Sequence, residues 1–118
     1  MNPFFSVVTP SYNRSDLLGR AVLSVLNQTF KNFEIIIVDD GSKDDTQEKM
    51  APFINEQVRY FYQENSGVSA SRNLGVSHAR ASWICFLDSD DEWHEVKLKE
   101  HFDFISKNPS YLWHCTRE

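Results

Sequence analysis

Acidic side chains that could bind a metal ion occur in residues 88–91 (DSDD), directly after an apolar run. Carboxylates at positions i and i+2, with a third beside them, can direct oxygens at one hard cation. Mg²⁺ and Mn²⁺ accept a few protein carboxylates and leave their other positions to waters and substrate phosphates. Ser89 and Asp90 would also suit the first turn of a following helix. The segment therefore predicts either a divalent metal site or a helix N-terminus.

Two more polar segments follow apolar runs in the same way. They are residues 9–13 (TPSYN) and residues 39–42 (DDGS). In the second, Ser42 and Asp45 have the spacing of a helix capping box, which assigns both residues to structure. The glycine before Ser42 permits a tight turn. This segment is therefore predicted to contain a turn and the start of a helix. Neither element accounts for Asp39 and Asp40, the first two residues of the segment.

Four side chains in or near these segments could contact a nucleotide. Asp39 and Asp40 can accept hydrogen bonds from a base N–H or a ribose hydroxyl. The Tyr12 ring offers a surface on which a flat base can stack, and the Arg72 guanidinium suits phosphate. Exposed tyrosines and arginines are also common on protein surfaces without any ligand. The residue types alone leave both interpretations open for Tyr12 and Arg72.

The polar segments lie in a chain that alternates strand and helix patterns. Strands are predicted at residues 4–9, 33–38, 58–62 and 83–87, with a fifth beginning at 111–113, and helices lie between them. Pro10 is expected to end the first strand, and Asn13 or Ser15 to cap the first helix. The run at 33–38 has no polar alternation, which is typical of a strand buried on both faces in a parallel sheet. The pattern predicts an α/β fold with an open, mostly parallel, Rossmann-like sheet and helices on both faces.

Ligands of open parallel sheets bind beyond the carboxyl ends of the strands. The three polar segments would meet at that edge, which brings five carboxylates together. These carboxylates would repel one another unless cations or hydrogen-bond donors lie among them. The sequence therefore predicts that the loops either extend into water or surround a divalent ion.

Length, charge and composition exclude several classes of protein. The chain has 118 residues, 41% of them hydrophobic, and a net charge of −5. This suits one domain, 1–118, with one core, and argues against a nucleic-acid binder. No apolar stretch approaches the ~20 residues that span a bilayer, and the first residues lack the pattern of a signal peptide. We expect reduced cysteines and a cytoplasmic location, with the inner face of the membrane included.

Five stretches together resemble the N-terminal half of a family 2 glycosyltransferase with the GT-A fold. They occur in the family's order and approximate spacing, from the start of the chain to Asp91. The stretches are residues 7–13 (VVTPSYN), 27–30 (NQTF), 37–42 (IVDDGS) with Asp44 and Thr46, 65–75 (NSGVSASRNLG) and 86–91 (FLDSDD).

The resemblance implies an activated sugar donor bound with Mg²⁺ or Mn²⁺. The donor would be a nucleoside diphosphate sugar, with a UDP-sugar expected, and the acceptor a glycan or a lipid-linked sugar in polysaccharide biosynthesis. On this basis Asp90 would coordinate the metal that bridges the diphosphate, and Asp88 would bind the ribose. The other implied nucleotide-binding residues are Pro10, Tyr12, Asp39 and Asp40 around the base and Arg72 at the nucleotide or phosphate.

In family 2 glycosyltransferases, which this chain resembles, the catalytic base and most of the acceptor site come from a segment later in the sequence than these five stretches. The resemblance therefore implies that the base lies downstream of Glu118, the last residue of this sequence. We expect this chain to be the donor-binding half of a longer hexosyltransferase, with no catalytic residue of its own and little or no transfer activity alone. A sheet truncated after its last strand would also expose an edge and an apolar face, which favours a homodimer.

Three alternatives from other classes fit the length. A receiver domain would need an acidic pair after its first strand and a Lys after its fifth, but residues 9–11 and Arg117 stand near those places. A phosphatase with an Asp-x-Asp pair would need that pair after its first strand, whereas Asp88 and Asp90 come late. A non-catalytic nucleotide-binding module stays open.

Overall fold

The computed structural model describes residues 2–107 and contains four strands, four α-helices and one short 3₁₀ turn in that range. The elements are β1 (Phe5–Ser11), α1 (Ser15–Leu26), β2 (Phe33–Asp39), α2 (Thr46–Met50), the 3₁₀ turn (Ala51–Phe53), β3 (Val58–Tyr62), α3 (Val68–His78), β4 (Trp83–Phe86) and α4 (Lys97–Lys107).

Two expectations concern the end of the chain. The fifth strand expected at 111–113 lies outside the described residues. Glu118, beyond which the catalytic base is expected, also lies outside them. Both expectations therefore stay predictions.

The four strands form one parallel sheet in the order β3-β2-β1-β4. The register pairs Phe5 with Phe33 and with Trp83, so the strands begin at one edge and their carboxyl ends meet at the other. β4, although apolar throughout, is an outer strand of the described sheet. The predicted open parallel α/β fold is confirmed, and the ends of the strands bring the polar segments to one edge.

Alternating side chains of the central strands pack into two separate cores. Val7 and Ile35 face a larger core that α1, α2 and α4 cover. Val8 and Ile36, the next residue along each strand, face a smaller core that α3 covers, with Leu74 in contact. Because successive strand residues point to opposite faces, an unbroken apolar run needs helices on both faces of the sheet.

Pro10 does not end β1, which continues to Ser11. Pro10 pairs with Val38 of β2, whereas the pairing of β1 with β4 ends at Val8. Ser11 O accepts a hydrogen bond from Asp40 N at 2.8 Å, on the β2 side. Since successive residues of a strand alternate their backbone groups between its two neighbours, Pro10 faces the β4 side beyond the last pair. Its missing N–H therefore costs no hydrogen bond of the sheet.

The expected helix caps are wrong for both α1 and α2. The N-cap of α1 is Arg14, whose own side chain makes no capping hydrogen bond, and neither Asn13 nor Ser15 takes that place. The N-cap of α2 is Asp45, whose side chain likewise makes no capping hydrogen bond, so the capping box predicted with Ser42 does not form. Asp44 instead accepts hydrogen bonds from the first N–H of each helix, Ser15 N at 3.4 Å and Thr46 N at 3.0 Å. Among residues 2–107, no helix combines the length and apolar character needed to cross a lipid bilayer.

Candidate functional site

A cleft of about 480 Å³ opens at the carboxyl edge of the sheet. It lies between the loops that follow β1, β2 and β4 and the first turns of α3. The cleft is lined by Pro10, Ser11, Tyr12, Arg14, Asp40, Asn65, Val68, Ser71, Arg72, Asp88, Ser89 and Asp90. All the predicted nucleotide- and metal-binding residues except Asp39 therefore line one cleft.

Asp40 is a buried carboxylate at the edge of this cleft, with 5% of its surface exposed. Its Oδ1 accepts hydrogen bonds from Gln63 Nε2 and Ser66 N, both at 2.8 Å. Its Oδ2 accepts one from Gly67 N at 2.9 Å and a longer one from Asn65 Nδ2 at 3.4 Å. Burial by itself would raise the pKa of Asp40, but the hydrogen bonds from Gln63, Ser66, Gly67 and Ser71 outweigh it and hold the pKa below its ordinary value. Through these hydrogen bonds, the Asp40 carboxylate links the end of β2 to the start of α3.

Asp39 lies beside the cleft rather than in its lining. Its Oδ1 accepts a hydrogen bond from Ser42 N at 2.8 Å, and its Oδ2 accepts one from the Tyr60 hydroxyl. Burial, and then the hydrogen bond to Asp39, raise the pKa of Tyr60, so that its hydroxyl stays a donor. Asp39 and Asp40 are adjacent in the chain, yet only the second meets the cleft.

The acidic cluster consists of Asp88, Asp90 and Asp91. Each offers one carboxylate oxygen, and these oxygens lie within 4.8 Å of one another. All three residues are exposed, and Asp91 N donates to Asp88 O at 3.0 Å to close a turn. Because α4 begins only at Lys97, the cluster does not cap that helix. A set of exposed carboxylate oxygens is the donor type that Mg²⁺ and Mn²⁺ prefer, so the residues present fit such an ion.

Two arginines face the acidic cluster across the cleft. Arg72 Nη2 lies 3.4 Å from Asp88 Oδ1, and Arg14 Nη1 lies 3.5 Å from Asp90 Oδ2. Both pairs are about half exposed, so water screens them and each holds its geometry weakly. The guanidinium groups are therefore available to an anion that enters the cleft. Arg14 was not among the predicted site residues, and its only signal in the sequence is its place after the polar segment at 9–13.

Ser11 is a second cleft residue that the sequence did not single out. Its side chain is 4% exposed, and its Oγ has no hydrogen-bond partner among the described residues. The Nε of Arg72 is likewise buried without a partner within residues 2–107. Buried polar atoms are normally paired, so this hydroxyl and this N–H can each take a hydrogen-bond partner from outside the described residues.

Direct contacts join the loops after β1 and β2. Asn13, at φ 51°, donates its N–H to Ser42 Oγ at 2.8 Å, and its Oδ1 accepts from Lys43 N at 2.8 Å. Ser42 therefore joins two loops instead of capping α2. Gly41, at φ 86°, lies so close to the next loop that an added Cβ would be 2.7 Å from Asn65 N. These contacts hold the edge of the cleft in one shape.

The sequence matches the model of glycosyl transferase family 2 over residues 6–117. An uncharacterized glycosyltransferase of Rickettsia conorii is 44% identical over 112 residues, which are 94% of this chain and 18% of that protein. The UDP-Glc:alpha-D-GlcNAc-diphosphoundecaprenol beta-1,3-glucosyltransferase WfgD of Escherichia coli is 35% identical over 104 residues, 87% of this chain and 41% of that protein. The chain thus spans less than half the length of these relatives.

A solved structure agrees with the fold. Residues 1–349 of S. aureus TarS, crystallised in complex with UDP-GlcNAc, align with a TM-score of 0.83 and 30% sequence identity. The alignment covers 91% of this chain and 32% of the TarS chain. The described sheet and its helices therefore correspond to about a third of the TarS chain.

Proposed function

Because the chain belongs to glycosyl transferase family 2 and adopts the GT-A fold, we propose that it binds a nucleoside diphosphate sugar for transfer of a hexosyl group to an acceptor hydroxyl. A UDP-sugar is the preferred donor, since both the E. coli relative and the TarS complex carry a UDP-sugar in their names. Family membership sets aside the receiver and phosphatase alternatives. We expect the protein to act in the cytoplasm, with the inner face of the membrane included.

The observation that carries this proposal is the orphaned hydroxyl of Ser11 in the same cleft as the acidic cluster. An acidic cluster alone would repel an anionic diphosphate. Two arginines and an unpaired buried hydroxyl on the other side of the cleft supply the donors that phosphate and ribose oxygens need. The cleft thus combines ligands for a cation with donors for an anion, which suits a metal–diphosphate complex.

Asp90 would hold the divalent ion, with Asp91 beside it, and Asp88 would bind the ribose. When bound, the ion neutralises the diphosphate and stabilises the negative charge that develops on the leaving group. Arg14 and Arg72 would leave their carboxylate partners and contact the phosphates. Because both ion pairs are solvent-exposed, breaking them costs little.

The nucleobase of the donor would lie at the end of the cleft away from the acidic cluster. Tyr12 is exposed there and offers its ring for stacking, with Pro10 beside it. The four acceptor positions of Asp40 are already used, and the longest bond is the one from Asn65. A base N–H would therefore bind Asp40 by replacing the Asn65 amide. Asp39 would act indirectly, because its contacts with Ser42 N and the Tyr60 hydroxyl stabilise the loop next to Asp40.

Each residue in this assignment acts on the donor. Transfer also requires a group that deprotonates the acceptor hydroxyl, and no residue of the cleft is assigned to that step. We propose that this group belongs to a segment of the whole protein beyond Glu118, together with the site for the acceptor glycan or lipid-linked sugar. The chain alone is expected to bind nucleotide and metal but to transfer little or no sugar.

The decisive experiment is a thermal-shift titration of nucleoside diphosphates with Mn²⁺ and with EDTA. We expect UDP to stabilise the wild-type chain more strongly in Mn²⁺ than in EDTA. Asp90→Ala should weaken the Mn²⁺-dependent binding at least tenfold, which corresponds to about 1.4 kcal/mol. Glu92→Ala is the matched control, since Glu92 is equally exposed but pairs with Arg20 outside the cleft. An Asp90→Ala variant that keeps the full Mn²⁺-dependent shift would contradict the assignment.

A further inference from the structure

Gln28 joins α1 to the segment that follows the acidic cluster. Its side chain is 0% exposed. The amide Nε2 donates to His94 O at 2.6 Å and to Ser24 O at 3.0 Å. The amide Oε1 accepts from Leu98 N at 2.9 Å. One buried side chain thus binds the backbone on both sides of the start of α4, and it uses its donor and its acceptor together.

Two neighbouring contacts attach the same segment to α1 and to the loop directly after it. Ser24 Oγ accepts a hydrogen bond from Trp93 N at 3.0 Å and donates one to Ala21 O at 2.7 Å. Thr29 N donates to Glu95 O at 2.9 Å. Together with those of Gln28, these bonds hold backbone groups of residues 93, 94, 95 and 98 against one end of α1.

The acidic loop, residues 88–92 (DSDDE), lies between two points of attachment. On its N-terminal side, Leu87 N donates to Val8 O at 3.0 Å and ends the contact with the sheet. On its C-terminal side, the Glu92 carboxylate accepts hydrogen bonds from the Arg20 guanidinium of α1, and the next residue, Trp93, donates its N–H to Ser24 Oγ. The loop residues themselves are exposed, apart from Ser89. The positions of the three carboxylates therefore depend in part on where these attachments hold the two ends of the loop.

We propose that Gln28 is a positioning residue for the metal site, and this inference rests on the function proposed above. By attaching residues 94–98 to α1, Gln28 keeps the acidic loop in the conformation in which its carboxylates converge. A loop that is already ordered loses less conformational entropy when the ion binds, so the ion binds more tightly. Glutamine suits this place because one planar amide supplies the donor for two carbonyls and the acceptor for Leu98 N.

The test compares Gln28→Met with Gln57→Met in the full 118-residue chain. Methionine keeps the volume of glutamine and removes its hydrogen bonds. Gln57 is the matched control, since its Nε2 donates to Phe33 O at 3.0 Å near the opposite edge of the sheet. Mn²⁺ affinity is measured from the electron paramagnetic resonance signal of the free ion, and UDP affinity is measured separately in EDTA.

Gln28→Met should weaken Mn²⁺ binding about tenfold, the scale typical of residues that orient metal ligands. Gln57→Met should bind Mn²⁺ like the wild type. UDP binding in EDTA should be unchanged in Gln57→Met and should fall by a much smaller factor than Mn²⁺ binding in Gln28→Met, since Asp88 is the one residue of the acidic loop assigned to UDP itself. A merely structural role for Gln28 predicts an equal loss of both affinities, because general loosening of the fold would weaken UDP binding in EDTA as much as Mn²⁺ binding.

Wild-type Mn²⁺ affinity in Gln28→Met, or an equal loss of UDP binding in EDTA, would overturn the inference and leave the proposed function intact. A wild-type chain that binds neither Mn²⁺ nor UDP would overturn the proposed function, and the inference with it. If Gln28→Met does not fold, Ser24→Ala replaces it, because this change removes the acceptor for Trp93 N and leaves the Gln28 amide in place. Ser24→Ala should lower Mn²⁺ affinity by a smaller factor, and an unchanged affinity would then contradict the inference.

Discussion

The Asp40 carboxylate accepts a hydrogen bond of 2.9 Å from the backbone N–H of Gly67, a residue 27 positions further along the chain. Gly67, at φ 100°, is the N-cap of α3, which begins at Val68. A negative charge at this place pairs free N–H groups and interacts favourably with the helix dipole. The loop after β2 and the start of α3 are therefore one unit of structure.

Replacement of Asp40 by asparagine should destabilise the folded chain. One oxygen acceptor would become an NH₂ donor facing the N–H groups of Ser66 and Gly67 or the amides of Gln63 and Asn65. We expect a loss of about 2 kcal/mol in the free energy of unfolding, measured by denaturant titration. Asp16→Asn is the control, because the ion pair of Asp16 with Lys49 is exposed to water and should contribute little to stability. Equal stability of the two variants would contradict the role given to Asp40.

Ser11→Ala should separate stability from ligand binding. The Oγ of Ser11 is buried and has no hydrogen-bond partner among the described residues, so its removal should leave the stability unchanged or raise it. The same change should weaken binding of UDP with Mn²⁺, measured by calorimetry. Thr9→Val is the control, since Thr9 Oγ1 is also buried and has no partner in the part of the chain that the structure describes, but lies outside the cleft lining. Unaltered UDP affinity in Ser11→Ala would remove Ser11 from the site.

Gly75→Ala should destabilise the contact between α3 and the sheet. A Cβ at Gly75 would overlap the side chain of Val8 in β1, so the helix would have to move away. We expect a loss of about 1–3 kcal/mol, the usual cost of overpacking. Gly19→Ala is the matched control within α1, where the nearest atom to the new Cβ is Met50 Cε at 3.9 Å. That variant should be as stable as the wild type or more stable, because alanine favours the helix.

The buried Glu34 makes stability depend on pH in the acid range. Burial would raise its pKa, but the Ser6 hydroxyl, the Arg80 N–H and the Arg59 guanidinium together lower it below the ordinary value of 4.5. The stabilisation is therefore complete above pH 4.5 and is lost as the pH falls from there through the pKa of the folded state.

Glu34→Gln should thus melt well below the wild type at pH 7, since one partner of a buried ion pair is lost. The difference in melting temperature should narrow as the pH falls below 4.5 and through the lowered pKa of the folded state, because Glu34 of the wild type then becomes protonated. Melting curves of both proteins across the acid range measure this directly. A difference that stays constant over that range would show that the charge of Glu34 is not the cause.

The strands could be predicted from the sequence because their information is local. The unbroken β-branched run at 33–38 needs cover on both faces, and the structure supplies it with α1 on one side and α3 on the other. The polar segments after β1, β2 and β4 share an edge because parallel strands end together. Helix starts were less predictable, since Ser42 and Asn13 use their side chains across loops rather than within one segment.

The same distinction between local sequence information and contacts across the chain applies to the candidate site. By itself, the sequence determined that acidic and aromatic residues gather at the carboxyl edge of a parallel sheet, because strand direction and residue order decide that placement. Only the tertiary structure decided that Asp40 enters the cleft while Asp39 pairs with Tyr60, that Arg14 faces Asp90, and that Gln28 binds the segment after the acidic loop. These contacts join residues far apart in the chain, so their geometry exists only after the elements have packed.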